Sequence, residues 1–227
     1  MNHKLMVVGD VHGSYAQLAR LLDSRFSAGR RLVFVGDLID RGPRTSDVLD
    51  LVARLVAEWP LGVSVLRGNH EQALLDFLDG NDAVTFLRNG GVATVASYYP
   101  QAPPNVLKVF RDSFPLEHLS LLRSTVTHLE SPEYLISHMG YDPRRPNARD
   151  LRAMVLEPHF ELFQTRLQPP VPLTVCGHYA QRGGRAFVSQ SLICIDTGCG
   201  TTEGAPLSAV LLPERLIVQS DIGGEVK

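Results

Sequence analysis

The sequence predicts a layered α/β protein, and three observations carry that expectation. β-rich runs alternate with helical patterns through the first half, and short strands joined by turns close the second half. Four apolar runs also end in glycine followed at once by a residue able to bind a metal ion.

Lys4–Val8 reads as the first strand, and Ser14 is placed to cap a helix carrying Leu18, Leu21 and Leu22 at helical spacing. Leu32–Val35 is the second strand. A helix over Thr45–Glu58 follows, with Val48, Leu49, Val52, Leu55 and Val56 on one face. Val63–Leu66 is the third strand, followed by a helix from about Glu71 to Leu78. From Ala83 to Leu122 the pattern is helical, broken at Asn89-Gly90-Gly91 and Pro103-Pro104. Strands resume at Val126–Leu129 and Tyr134–Ser137, whereas residues 142–172, rich in Pro and Arg, give no clear period. Leu173–Cys176, Ala186–Val188, Leu192–Ile195, Ala209–Leu212 and Leu216–Gln219 finish as strands, and the short turns between them suggest a more antiparallel second half.

The 227 residues, with no internal repeat or linker, fit one domain over 1–227. A chain of this size buries roughly 70–75% of its unfolded surface, so it folds without disulfides or a structural metal. The net charge of −2 gives no electrostatic footprint for nucleic acid or an anionic membrane. The opening Met1-Asn2-His3-Lys4 runs into Leu5–Val8 and Gly9-Asp10, too short an apolar stretch for a signal peptide. Cys176, Cys194 and Cys199 are an odd number and read as small buried hydrophobes of a reducing, cytoplasmic compartment.

The chemistry lies at the four glycine junctions, Gly9-Asp10, Gly36-Asp37, Gly68-Asn69 and Gly177-His178. Glycine turns the chain sharply, and a polar residue just past a strand end sits where open α/β sheets place their sites. One such junction is usually a turn; four ending in Asp, Asn or His are hard to attribute to turns alone. In Asp10-Val11-His12, residues two apart face the same side of an extended chain and can reach one ion. Asp37, Asp40 and Arg41 put two carboxylates and a guanidinium within five residues, and Asn69-His70 sets a neutral amide beside an imidazole able to give a proton.

Gly9-Asp10-Val11-His12-Gly13, Gly36-Asp37-Leu38-Ile39-Asp40-Arg41-Gly42 and Gly68-Asn69-His70-Glu71 resemble three blocks of the phosphoprotein phosphatase family, within the calcineurin-like metallophosphoesterases. Ser137-His138-Met139-Gly140 and Cys176-Gly177-His178 are similar to its fourth and fifth blocks, and the resemblance runs from residue 5 to about 212. It implies a four-layer sandwich (helix, sheet, sheet, helix) with a helical cap over about 80–122. Asp10 and His12 are implied on one metal, Asp37 bridging both, and Asn69, His138 and His178 completing the second. His70 is implied as general acid, oriented by Asp40, with Arg41 and Asn69 at the phosphate. Two divalent ions are implied, Mn²⁺ or an Fe/Mn pair. The oxygen- and imidazole-rich set agrees with this and offers no thiolate that would favour zinc.

Charge counting supports the same chemistry. Two divalent ions on two carboxylates leave a formal charge near +2, which a hydroxide and a phosphate dianion overshoot by one and Arg41 rebalances. A second phosphate-gripping arginine, which the family often carries beside a tryptophan, has only Arg149 and Arg152 as candidates here, because the lone tryptophan is Trp59. His3, His118, His128 and His159 lie outside every block and read as surface or satisfied polar residues. The expected function is a Ser/Thr, and also Tyr, phosphoprotein phosphatase. The alternatives are a dinucleoside polyphosphate hydrolase and a non-catalytic phosphopeptide-binding module; the cluster at Tyr141, Arg144 and Arg145 suits a loop gripping extra phosphates, a rim meeting acidic phosphopeptides, or a solvated basic turn.

Overall fold

Alternation along single strands decides how the layers stack. In β1 (Leu5–Val8), Met6 and Val8 join an apolar cluster with the helices, whereas Val7 turns the other way and meets the strands of a second sheet. The computed structural model describes residues 4–164 and 171–220, and His3 lies outside them.

The first sheet has the order β10-β9-β1-β2-β3, where β2 is Arg31–Phe34, β3 Val63–Val65, β9 Ser208–Leu212 and β10 Leu216–Gln219. β1, β2 and β3 are parallel, and β9 pairs antiparallel with both β1 and β10. The second sheet runs β4-β5-β6-β8-β7, with β4 at His128–Glu130, β5 at Tyr134–Ser137, β6 at Leu173–Cys176, β7 at Phe187–Val188 and β8 at Leu192–Cys194. Its centre, β5, β6 and β8, is parallel, and its edges are antiparallel. The expectation of a more antiparallel second half therefore holds at the sheet edges and fails at the centre. Long connections between β5 and β6, and between β6 and β8, return the chain to the same end, as parallel pairing requires.

Helices α1 (Tyr15–Leu22), α2 (Thr45–Glu58) and α3 (Asn69–Leu78) cover the first sheet, and Val7, Val33, Val175 and Ile193 fill the space between the two sheets. α2 spans the expected range. α3 starts two residues before the expected Glu71, because the Glu71 carboxylate reaches back to accept the Gly68 N–H at 2.8 Å. Ser14 occupies the capping position of α1, yet its hydroxyl turns to the His12 carbonyl at 3.4 Å and caps nothing.

The segment from 83 holds α4 (Ala83–Phe86), a π-helical turn at Leu87–Gly91, α5 (Val92–Tyr98), α6 (Val106–Asp112) and α7 (Leu116–Ser124). Gly90, at φ 105°, makes the break. These helices pack against α2 and α3 and share their apolar cluster. Phe86 stacks on Phe77 at 5.0 Å and on Phe110 at 6.2 Å. Behind the second sheet the outer layer is thin: a π-helical turn at Arg152–Leu156 and a 3-10 turn at Phe160–Phe163 bury Met154, Val155 and Leu162 against Leu135, Cys176 and Cys194. Pro143, Pro146 and Pro158 interrupt this stretch, which explains why it shows no period in the sequence. The result is two mixed sheets flanked by helical layers. No helix among the described residues is long and apolar enough to cross a membrane.

Phe86 is fully buried at the centre of the phenylalanine stack. Phe86→Ala is expected to cost about 3–5 kcal/mol, read from urea unfolding. A loss below about 1 kcal/mol would show that the stack contributes little to holding the 83–124 helices in place.

Candidate active site

Five loops leave the C-terminal ends of strands in both sheets and converge. Asp10 and His12 follow β1, Asp37, Asp40 and Arg41 follow β2, Asn69 and His70 follow β3, His138 follows β5, and His178 follows β6. Among the described residues, five of the seven non-glycine residues at positive φ are here: His12, Asp37, Asp40, Arg41 and His178. Such backbone costs of order 1–3 kcal/mol per residue and persists only where its surroundings fix it. Glu71 is the main fixture. Fully buried, it accepts the N–H groups of Asp37, Leu38 and Gly68, each at 2.8 Å, and so ties the β2 loop to the β3 loop. The glycines at the junctions allow close approach: a Cβ on Gly68 would sit 2.0 Å from Asp37 Oδ1, and one on Gly177 2.1 Å from Asp10 Oδ1.

Asp37 lies at the centre. Its Oδ2 is 3.7 Å from His12 Nε2, 3.6 Å from His70 Nε2 and 3.4 Å from His138 Nε2. The donors form two groups that share Asp37, one with His12 and His70 and one with His138 and His178, with ligand atoms within 4.8 Å of one another in each. The Asn69 amide oxygen lies 3.1 Å from His138 Nε2 and 2.9 Å from His178 Nδ1, aimed at the same spot. Asp10 stands beside these groups, its carboxylate accepting the His178 N–H at 3.0 Å.

The imidazoles are set to present a ring nitrogen inward. His12 Nδ1–H donates to the Ile39 carbonyl at 2.8 Å and His138 Nδ1–H to that of Val35 at 3.1 Å, which leaves Nε2 of each facing Asp37. Burial pushes both His12 and His178 down to about 3, so each is neutral and able to ligate over the whole working range. Burial alone would also lower His138, but the Asp37 carboxylate outweighs it and the net shift is upward. Burial would raise Asp37, yet the imidazoles of His138, His70 and His12 hold it well below the usual carboxylate range. Asp10 is pushed well up by burial and by the neighbouring Asp196 and Asp37 charges, and Asp196 is raised by burial too. Crowded buried carboxylates with neutral imidazoles form a donor set that fits divalent cations, which would relieve the like-charge strain.

His70 Nδ1 lies 2.7 Å from Asp40 Oδ2, and Asp40 Oδ1 accepts the Thr94 hydroxyl at 2.6 Å. Burial lowers the His70 pKa, but Asp37 and Asp40 outweigh it and the net shift is up, towards a doubly protonated ring. Arg41 reaches His12 Nε2 at 2.8 Å, His70 Nε2 at 3.1 Å and the Thr201 hydroxyl at 2.9 Å. It is the exposed member of the group.

The remaining sequence candidates are engaged elsewhere. Arg149 pairs with Glu130, Arg152 with Glu157, Arg144 with Glu161, and Arg145 with Asp142 and Asp150. His118 bridges Tyr98 and Asp50, and His159 bonds the Ala153 carbonyl. Cys194 and Cys199 are buried. Four residues that shape the site were not read from sequence as such: Glu71, Thr94, Asp196 and Thr201. Two of them had a visible signal: Glu71 closes the block Gly68-Asn69-His70-Glu71, and Asp196 directly follows the apolar run Leu192–Ile195.

The chain is similar to known proteins. The family model described as calcineurin-like phosphoesterase matches residues 3–213. A serine/threonine-protein phosphatase 1 of Salmonella typhimurium is 45% identical over 87 residues, which cover 37% of this chain and 38% of that protein. The asymmetrical bis(5'-nucleosyl)-tetraphosphatase PrpE of Oceanobacillus iheyensis is 28% identical over 240 residues, covering 95% of this chain and 91% of that protein. Among solved structures, a proposed diadenosine tetraphosphatase superposes with a TM-score of 0.67 at 23% identity, covering 96% of this chain and 93% of that one. A cold-active protein-tyrosine phosphatase of a Shewanella species gives 0.66 at 19% identity, covering 99% and 80%. At these identities the two structures show a shared fold.

Because Asp37 belongs to both donor groups, Asp37→Asn is expected to lower the content of both ions, measured by metal analysis of the purified protein. Two fully occupied ions in the variant would remove Asp37 from the bridging position. Binding is also expected to release protons. The Asp37 carboxylate raises His138 above its ordinary value, and a ligated ring must give up its second proton, so affinity should rise with pH. Calorimetry in buffers of different ionisation enthalpy reads this directly; binding without proton release would contradict the assigned state of His138.

Proposed function

This chain belongs to the calcineurin-like phosphoesterase family, and from that premise we propose that it is a two-metal phosphohydrolase acting through activated water. The observation that carries the reading is the convergence on Asp37 of His12, Asn69, His138 and His178, with Asp10 beside them. Divalent ions held by these residues supply Lewis acidity, acidifying a nucleophilic water and neutralising phosphate charge. We assign manganese, supported by a donor set of oxygens and imidazoles without thiolate.

The protein's own groups carry the rest. Arg41, exposed and already turned over the donors, has the planar fork that binds two phosphate oxygens. On engaging phosphate it leaves His70 Nε2, which then holds a proton aimed at the leaving oxygen. Asp40 keeps the ring protonated and oriented through Nδ1, and Thr94 holds Asp40. His70 thus acts as general acid, a role worth typically 10²–10⁴ in rate. A binding module on a degenerate site is disfavoured, because every ligand type and the acid dyad are present.

None of these residues distinguishes what carries the scissile phosphate. The phosphoprotein reading is supported by 45% identity to a serine/threonine phosphatase, over a segment of 87 residues. The dinucleoside polyphosphate reading is supported by a tetraphosphatase matched at 28% identity over 95% of this chain. We place the second first for that reason. A reducing, cytoplasmic setting is supported by three buried free thiols.

His70→Asn should keep both ions while lowering kcat on substrates with a poor leaving group by roughly 10²–10⁴. The loss should shrink for p-nitrophenyl phosphate, whose leaving group hardly needs a proton. Equal losses on both would remove His70 from the acid role, and Asp40→Asn should give a milder version of the same split.

A further inference from the structure

The loops that leave His178 and Asp196 enclose a groove of about 580 Å³, within the range of small-molecule sites. One wall is Ala180–Arg185 and the other runs from Thr197 to Pro206. Both walls follow in the chain directly from residues of the active site. Ala180 is two residues beyond His178, and Thr202 follows Thr201, whose hydroxyl accepts from Arg41 at 2.9 Å. The walls are held in place: Gln181 N–H donates to the Asp196 carbonyl at 2.9 Å, and the Gln219 side chain donates to the Gly184 carbonyl at 2.8 Å.

Its charged lining is Arg182, Arg185 and Glu203, a formal +1 in a chain of net −2. Both arginines are exposed, and among the described residues neither has a carboxylate partner. This sets them apart from Arg144, Arg145, Arg149 and Arg152, each of which is held in an ion pair. Arg182 is four residues from His178, so the two backbones are at most about 14 Å apart. Arg185, seven residues on from His178, is within about 25 Å by the same measure, and two guanidiniums with no carboxylate partner among the described residues match an anion covalently continuous with the scissile phosphate.

Resting on the phosphohydrolase reading above, we propose that this groove is a subsite for the phosphate chain of the substrate beyond the scissile group, gripped by Arg182 and Arg185. A simple monoester leaves the groove empty; a chain of phosphates spans the site and the groove together. The subsite therefore sets KM for polyphosphates and leaves the chemistry on the scissile phosphate unchanged.

The test uses the full-length manganese-loaded protein and the double variant R182A/R185A. Diadenosine tetraphosphate, p-nitrophenyl phosphate and an acidic phosphopeptide are compared as substrates, and binding of a methylene-bridged tetraphosphate analogue is measured by calorimetry. The expected result is a KM for the tetraphosphate at least about tenfold higher in the variant, with analogue affinity reduced alike and p-nitrophenyl phosphate turnover unchanged. The wild-type affinity should fall as salt rises, and the variant's less so. An unchanged tetraphosphate KM and analogue affinity, an equal loss on both substrates, or a loss confined to an acidic phosphopeptide would each overturn the assignment. Absence of p-nitrophenyl phosphate turnover in the wild type would instead count against the phosphohydrolase reading, while analogue binding still decides the groove.

Discussion

The burial of several carboxylates in one place is the constraint on which the rest of this structure depends. Asp10, Asp37, Asp40, Glu71 and Asp196 are each at most 3% exposed. Isolated buried anions are costly, and like charges in a low-dielectric site cannot all ionise without cations. The protein meets part of this cost itself. Asp37 is held ionised by imidazoles, Glu71 accepts three backbone N–H groups that offset part of the upward push of burial, and Asp40 is bonded by His70 and Thr94. Asp10, Glu71 and Asp196 remain pushed upward by burial and by neighbouring carboxylates, the residual strain that bound divalent cations would relieve.

Much of this arrangement was legible in the sequence, because the functional side chains are contiguous with strand ends. Gly9-Asp10, Gly36-Asp37, Gly68-Asn69 and Gly177-His178 announce both the strand and the residue that follows it, and the structure brings all four together. What was not legible acts across the chain. Thr94 reaches Asp40 over 54 positions and Thr201 reaches Arg41 over 160, and an isolated threonine carries no local pattern that reveals its partner. Glu71 was visible as the last letter of a block, but its three bonds bind two loops that meet only after β2 and β3 pair. The outer layer behind the second sheet escaped for a different reason, since it consists of single helical turns between prolines, too short to display a period.

The site is also a property of the space between the sheets. Asp10, Asp37 and Asn69 come from the first sheet, and His138, His178 and Asp196 from the second. Two bonds cross directly: the His178 N–H to Asp10 at 3.0 Å, and His138 Nδ1–H to the Val35 carbonyl at 3.1 Å. Beneath them lies the inter-sheet cluster, in which Val7, Val33, Val35, Val175, Ile193 and Ile195 come from strands that end at the site. The spacing of the two donor groups is therefore set by the packing of β-branched side chains that never touch a ligand. Close-packed interiors transmit small changes in volume, so this layer fixes the distance between the two sheets' donors. Donor spacing is among the few means a protein has to choose among divalent metals, so substitutions in the valines and isoleucines below the site would act on whichever ions its donors hold.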